Sequence, residues 1–218
     1  DPVQESLLRL AAHPRRGPLA VLGRLDSTAT FSHRAWRAEF RMLEANAVGV
    51  GGVFYAPASC SILLDVFADL FERTVPGHRI VPMPDPRGLL LQELSGTAQR
   101  LGRRLRGVAL IENTDDATGT DEFAGLAAHF TRLGLRAVVA DPRDLRRAGD
   151  RLMARGGEVD LIYRDSELSE FIEMEDGRPR LSALRHAIQG GRLISGLLWE
   201  YDMKSAWEMF TDPAWGRY

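Results

Sequence analysis

The sequence is short of cysteine and lysine. Its 218 residues contain one cysteine, Cys60, so the chain can build neither a disulfide framework nor a sulfur-based zinc site. Of its 28 basic residues only Lys204 is a lysine. A task that needs a compact ammonium group in place of a guanidinium can therefore fall only to that residue.

Strong net charge and long apolar runs are also missing. The formal net charge is −2, which gives no bulk field to attract nucleic acid or an anionic membrane. No apolar run approaches the roughly 20 residues of a membrane-spanning helix, and the first ten residues lack the order of a signal peptide. We therefore expect no nucleic-acid partner, no membrane association and a reducing, cytoplasmic location.

Several well-known motifs do not occur. The sequence has no GxxxxGK[ST] loop, no GxGxxG after a strand, no HExxH and no GxSxG. Their absence argues against simple nucleotide triphosphatases, dinucleotide oxidoreductases, zinc peptidases of the HExxH type and α/β-hydrolases. The five histidines show no metal-ligand spacing, so each is interpreted as a solvated or helix-face residue.

The first half of the chain has an irregular pattern. Helical spacing predicts helices over 3–12, 57–73 and 89–105, the second of them with a continuous apolar face. A short apolar strand is predicted over 19–22, and period-two alternation predicts another over 39–46. The proline-rich stretch 75–88 is predicted to be a loop or an edge strand. Residues 1–105 are therefore interpreted as an α+β segment.

From residue 107 the pattern becomes regular. Apolar runs of strand length cover 107–112, 135–140, 158–163 and 192–199, and helical patterns between them follow Thr120, Asp141 and Arg178. Alternation of this kind predicts an α/β fold with a mostly parallel sheet and helices on both faces, a Rossmann-like architecture. We expect this domain over 106–200 and a third portion over 201–218.

The strongest local pattern is Glu44-x-Asn46 followed by glycines. Side chains alternate along a strand, so Glu44 and Asn46 share one face. A carboxylate and an amide oxygen side by side suit a Mg²⁺ ion that keeps waters and a nucleotide phosphate. Gly51 and Gly52 would let backbone N–H groups approach an anionic substrate. The alternative is an ordinary strand that leaves into a glycine turn.

Three basic residues are further candidates. Arg24, two residues before Asp26, could offer its fork to a substrate carboxylate, and a surface ion pair is the alternative. Arg164 ends a predicted strand with its guanidinium aimed over the carboxyl edge of the sheet. Lys204 falls in the first turn of a predicted helix, where the helix dipole disfavours a cation and a bound phosphate would offset it.

Taken in chain order, these motifs resemble one family. Arg24-x-Asp26, Glu44-x-Asn46 with its glycines, the strand VALIE, the run VDLIYRD and Lys204 are similar to the amino-terminal portion of circularly permuted ATP-grasp ligases. That group includes eukaryotic-type glutathione synthetases and glutathionylspermidine-synthase-like enzymes. The resemblance runs from about residue 22 to residue 210 and rests on the order and spacing of short motifs.

The resemblance implies ATP-dependent joining of a carboxylate to an amine through an acyl phosphate, with ATP and Mg²⁺ required. It implies roles for six residues: Mg²⁺ binding by Glu44 and Asn46, substrate carboxylate binding by Arg24 with support from Asp26, contact with the transferred phosphate by Arg164, and contact with ATP by Lys204. A small amino acid or peptide is the expected substrate, and the family also allows a homodimer.

Two departures from the family pattern refine these expectations. Glutathione synthetases carry hydroxyl residues after Glu-x-Asn, where this chain has 47–50 as Ala-Val-Gly-Val, which favours a substrate other than that of glutathione synthesis. Most of the ATP-grasp portion should follow Lys204. We therefore expect the chain to be a fragment or processed form, inactive without a C-terminal ATP-grasp portion. The alternative is a non-catalytic Rossmann-like module that binds a small anion or a partner protein.

Overall fold

The computed structural model describes residues 1–12, 22–28, 35–116, 121–177, 179–198 and 212–214. The first part of the chain contains α1 (Pro2–Ala12), β1 (Arg24–Ser27), α2 (Trp36–Glu39), β2 (Met42–Asn46), α3 (Ala56–Thr74) and α4 (Pro86–Arg100). The second part contains β3 (Gly107–Ile111), α5 (Glu122–Arg132), β4 (Arg136–Ala140), β5 (Arg146–Ala148), β6 (Arg151–Ala154), β7 (Gly157–Val159), β8 (Leu161–Arg164), α6 (Leu168–Glu175), α7 (Ser182–Gln189) and β9 (Leu193–Ile194).

A four-stranded parallel sheet lies at the centre of the fold, in the strand order β4-β3-β8-β9. In its register Val108 lies beside Ala137 on one side and Leu161 on the other. All five residues of β3 are buried, as expected for a central strand made of a continuous apolar run. The α/β fold with a parallel sheet, predicted from the sequence, is confirmed.

Helices cover both faces of this sheet. One hydrophobic core joins Ile111 and Ile162 to α1, α6 and α7, and the other joins Val108 and Leu110 to α4 and α5. Alternate β3 residues enter different cores because successive strand side chains point to opposite faces. α1 and α4 of the first hundred residues thus pack against the sheet itself.

The segment after Asp141 corrects one expectation. Its Asp-Pro start predicts a helix, but it forms one 3₁₀ turn over Pro142–Asp144 and then the antiparallel meander β5-β6-β7. The Asp141 carboxylate accepts the Arg143 N–H at 2.8 Å, a cap that serves a 3₁₀ turn as well as a helix. Arg155 and Gly156 both have positive φ, 46° and 74°, the backbone of a tight hairpin turn.

Other boundaries differ from the predictions by a few residues. β2 is shorter than the predicted 39–46, because α2 ends at Glu39 and the strand begins only at Met42. α4 begins at Pro86, capped by Asp85, instead of at 89. The run 158–163 is divided between β7 and β8, and the described part of the run 192–199, which ends at 198, contains only the two-residue strand β9. α6 has a capping box formed by Glu167 and Glu170, which the sequence analysis missed. Within the described ranges no helix has both the length and the hydropathy to cross a bilayer.

Candidate functional site

The two polar motifs meet on one ribbon. β1 and β2 pair antiparallel, with Arg24 opposite Asn46 and Asp26 opposite Glu44. Directly opposed residues of an antiparallel pair project from the same face, and residues two apart on one strand do so as well. All four polar side chains therefore share one face of the ribbon, which we call the polar ribbon face.

Arg24 is held at the edge of this face by an ion pair. Its Nε and Nη2 donate to the two carboxylate oxygens of Asp26 at 2.8 and 3.1 Å, and its Nη1 donates to the Gly51 carbonyl oxygen at 2.8 Å. These bonds use three of the five N–H groups of an arginine. The Arg24 side chain remains 44% exposed, so its remaining N–H groups can reach a ligand from solvent.

The glycine loop after β2 is tied down by a residue far along the chain. Glu122, at the start of α5, accepts the Gly52 N–H at 3.1 Å and the Phe54 N–H at 2.7 Å. The predicted role of Gly52 as an N–H donor to a substrate therefore needs correction, because a carboxylate of the protein already accepts that N–H. Gly51 offers its carbonyl oxygen to Arg24. The sequence analysis missed Glu122, since an acidic residue in a first helical turn is typical of a helix start.

The same loop lies against the carboxyl edge of the parallel sheet. Gly49 has a φ of +58°, and a Cβ atom at that position would collide with the Asp165 carboxylate, which directly follows β8. On α5, Gly125 leaves the space that the Phe54 ring occupies. The loop that follows β2 is thereby positioned next to the sheet edge where ligands of parallel α/β sheets commonly bind.

Glu44 and Asn46 are both partly buried on the polar ribbon face. The Nδ2 atom of Asn46 is buried and has no hydrogen-bond partner. A carboxylate and an amide are hard donors that fit a Mg²⁺ ion completing its shell with water and phosphate oxygens. In the described part of the chain no group of three His, Cys, Asp or Glu side chains could hold a metal by itself.

Acidic groups gather at the sheet edge beside Gly49. Burial, Asp165 and Asp121 raise the pKa of Glu112, the residue that follows β3. Desolvation by the groups packed around it, and then Glu170, raise the pKa of Asp165. Both shifts have the sign expected where carboxylates share a partly desolvated place. This part of the edge favours a cation over an anion.

The carboxylate of Asp141, which follows β4, already accepts hydrogen bonds from other residues of the chain. Arg143 donates to this carboxylate from Nε at 2.7 Å and from Nη2 at 2.7 Å. Thr114 donates to it from its backbone N–H at 3.2 Å and from its hydroxyl at 3.0 Å. Burial by itself would raise the pKa of Asp141, but these hydrogen bonds outweigh it and hold the pKa far below its usual range. Asp141 therefore joins the loops that follow β3 and β4.

Arg164 does not have the orientation that the sequence analysis expected. Its side chain is fully buried, and its guanidinium donates to the carbonyl oxygens of Ser195, of Ser166 at 2.8 Å and of Gly196 at 3.2 Å. The guanidinium also lies 5.9 Å from the centre of the Phe171 ring. It therefore ties β8 to the chain after β9 and in this conformation cannot touch a ligand.

Lys204, the expected ATP contact, lies outside the described residues. The structure thus brings together six of the eight candidate site residues, namely Arg24, Asp26, Glu44, Asn46, Gly51 and Gly52. It places Arg164 in the interior instead.

Comparison with known proteins finds similarity at the level of the fold. No family model and no curated protein matches the chain. Among solved structures, a glutathione synthetase-like effector from Globodera pallida in its apo form superimposes with a TM-score of 0.55 at 12% sequence identity. The match covers 98% of this chain and 49% of that protein, so the chain spans about half its length. The chain therefore shares the fold of half of a glutathione synthetase-like protein.

Proposed function

We propose that the chain is the substrate-binding half of an ATP-dependent carboxylate–amine ligase. The observation that carries this proposal is the register of β1 and β2, which gathers Arg24, Asp26, Glu44 and Asn46 on one face. The shared fold with a glutathione synthetase-like protein supports it. Turnover would require a C-terminal ATP-grasp portion, supplying most of the nucleotide site.

Arg24 is the proposed receptor of the substrate carboxylate. Asp26 fixes the plane of its guanidinium through two hydrogen bonds, and the Gly51 carbonyl fixes its position. A guanidinium oriented in this way loses little further freedom when it binds, and it can offer the remaining N–H groups to a carboxylate. The loop at 47–50 carries no hydroxyl side chain, so the substrate is proposed to be an amino acid or peptide other than that of glutathione synthesis.

Glu44 and Asn46 are the proposed protein ligands of Mg²⁺ on the triphosphate of ATP. When bound, the ion would neutralise charge on the phosphate oxygens. In the proposed reaction the substrate carboxylate attacks the γ-phosphorus and ADP leaves. The nitrogen of a neutral amine then attacks the acyl carbon, inorganic phosphate leaves, and the proton lost from the nitrogen passes to water. Catalysis of this kind depends on positioning and charge neutralisation. Asp165, beside Gly49, and the neighbouring Glu112 would attract the ammonium form of the acceptor, which must lose a proton before its nitrogen can attack.

The test is an assay of ADP release by the complete gene product with Mg²⁺, ATP and a panel of amino acids and dipeptides as acids and amines. We expect ADP release that depends on both an acid and an amine, and its loss in Glu44→Gln because the charged ligand is gone. Glu173→Gln, an exposed change on α6, serves as the matched control. ADP release unchanged by Glu44→Gln contradicts the metal assignment. No release with any pair, while small anions still bind, favours the non-catalytic module.

A further inference from the structure

Arginine is concentrated near the amino edge of the central sheet, where its parallel strands begin. The segments 100–106 and 132–155, which include the residues just before β3 and all of β4, contain eleven arginines and three aspartates. They carry a formal charge of +8, and the rest of the chain carries −10. The net charge of −2 therefore results from two parts of the chain with opposite charge.

Hydrogen bonds bring the two segments together. Arg136, the first residue of β4, donates its backbone N–H to the Arg106 carbonyl oxygen at 3.2 Å. Its Nη2 atom donates to the carbonyl oxygens of Ala154 and Arg155, in the β6–β7 hairpin, at 2.9 and 3.1 Å. Arg132 is the last residue of α5, just before β4. We call the following five residues the arginine cluster: Arg104, Arg106, Arg132, Arg136 and Arg155.

The positive charge of the arginine cluster is not offset by the protein. Among the described residues, no carboxylate forms an ion pair with any of its five members. The nearby acidic side chains already have other partners. Asp160 accepts the backbone N–H groups of residues 106 and 107 at 2.7 and 3.0 Å. Asp150 pairs with Arg103 at 2.7 Å. Like charges held close together repel, so an anionic partner would relieve this repulsion.

We propose that the arginine cluster is a docking surface for an acidic segment of another protein. Guanidinium groups bind carboxylates through paired N–H donors, and arginine is enriched in protein–protein interfaces. Four of the five members are exposed, and Arg136 is partly exposed. Leu133, in the turn between α5 and β4, is 59% exposed and adds an apolar contact beside the charges.

The composition of this surface favours a protein partner over a nucleic acid. Single-stranded nucleic acids are held largely by bases that stack on aromatic rings. The segments 100–106 and 132–155 contain no Phe, Tyr or Trp. The groove of a duplex is read by a helix or a β-ribbon that fits into it. The five arginines come instead from the chain before β3, the end of α5, the start of β4 and the β6–β7 turn.

The arginine cluster belongs to the opposite edge of the sheet from the acidic groups described above. β3 has five residues and therefore spans about 16 Å between the two edges. Glu112 directly follows β3, whereas Arg106 directly precedes it. A partner docked on the arginine cluster would leave the carboxyl edge open to small molecules. The proposal therefore does not depend on the proposed ligase activity.

The first test measures binding of a fluorescently labelled peptide to the full chain by anisotropy. The peptide has about twelve residues, glutamates around a central leucine, and the comparison is an oligothymidylate of the same net charge. We expect saturable peptide binding with a Kd below about 100 μM in about 0.05 M salt, at least tenfold weaker in about 0.3 M salt. The oligothymidylate should bind less tightly. Binding of the oligothymidylate as tight as that of the peptide assigns the surface to nucleic acid, and the absence of saturable peptide binding also overturns the proposal.

The second test separates the arginine cluster from the overall charge of the chain. Arg104→Gln with Arg106→Gln should weaken peptide binding about tenfold or more. The free energy of unfolding should stay equal or rise, because repulsion is relieved. The matched control is Arg9→Gln with Arg37→Gln, which removes two exposed charges from α1 and α2 and should change binding little. Equal weakening in both double variants refutes the proposal.

The third test concerns the apolar contact. Leu133→Ser should weaken binding of the leucine peptide and should leave binding of a version with glycine in place of leucine unchanged. A change that merely disturbed the fold would weaken both peptides alike. An equal loss with the two peptides contradicts the contact at Leu133 and overturns the proposed docking surface.

Discussion

A buried ion pair joins three helices on one face of the sheet. Glu175, the last residue of α6, has a fully buried side chain, and Arg185 of α7 is 13% exposed. Arg185 donates from Nε to Oε1 at 2.8 Å and from Nη2 to Oε2 at 2.6 Å, and its Nη1 donates to the Ser6 hydroxyl of α1 at 2.7 Å. A carboxylate at a helix C-terminus is disfavoured by the helix dipole, so this pairing offsets an unfavourable position.

Removal of the arginine alone should be strongly destabilising. In Arg185→Met the buried Glu175 carboxylate loses both hydrogen bonds from Arg185 and keeps the one from the Leu181 N–H at 3.3 Å. Breaking a buried pair in this way costs about 3–5 kcal/mol because one charge is left without its partner. In the double variant Glu175→Leu, Arg185→Met, no charge remains buried, and most of the loss should be recovered.

The measurement is urea unfolding at neutral pH, followed by circular dichroism and tryptophan fluorescence together. The control is Arg9→Met, which breaks the Glu5–Arg9 pair of α1, whose side chains are 63% and 78% exposed. That pair should contribute less than about 0.5 kcal/mol. A loss below about 1 kcal/mol in Arg185→Met, or a double variant less stable than Arg185→Met, would refute this account of the buried pair.

Two further predictions concern the loops at the sheet edge. Because hydrogen bonds hold the pKa of Asp141 below its unfolded value, its contribution to stability is present above about pH 4 and is lost as the pH falls further. Asp141→Asn should lower the free energy of unfolding by about 2 kcal/mol at pH 7. Between pH 7 and pH 3 the variant should lose less of this free energy than the unchanged chain does, as measured by urea unfolding. An equal acid-induced loss in both proteins contradicts this prediction. Glu122→Gln should speed hydrogen exchange of the Gly52 and Phe54 amides by about tenfold or more, since a neutral acceptor holds N–H groups less tightly. The control is Asp121→Asn, whose side chain makes no capping hydrogen bond, and unaltered exchange in Glu122→Gln would show that the carboxylate does not hold the loop.

The central sheet could be predicted because its strands are continuous apolar runs, and such runs are stable only when both faces are covered. Turn and cap signals were less informative. The Asp-Pro pair at 141 satisfies the start of a 3₁₀ turn as readily as that of an α-helix, so local chemistry could not distinguish helix from meander.

For the candidate site, the sequence by itself determined which side chains share a face within one strand. Strand side chains alternate between two faces, so residues two apart share a face. This holds for Glu44 and Asn46 and for Arg24 and Asp26. Only the tertiary structure decided that the two pairs lie opposite each other, since register depends on hydrogen bonds between strands distant in sequence. It also decided that Glu122 holds the glycine loop, that Arg164 turns inward and that the apolar side chains Ile62, Val66 and Leu70 of α3 are exposed. Each of these outcomes depends on which parts of the chain, distant in sequence, come into contact, and local periodicity does not predict such contacts.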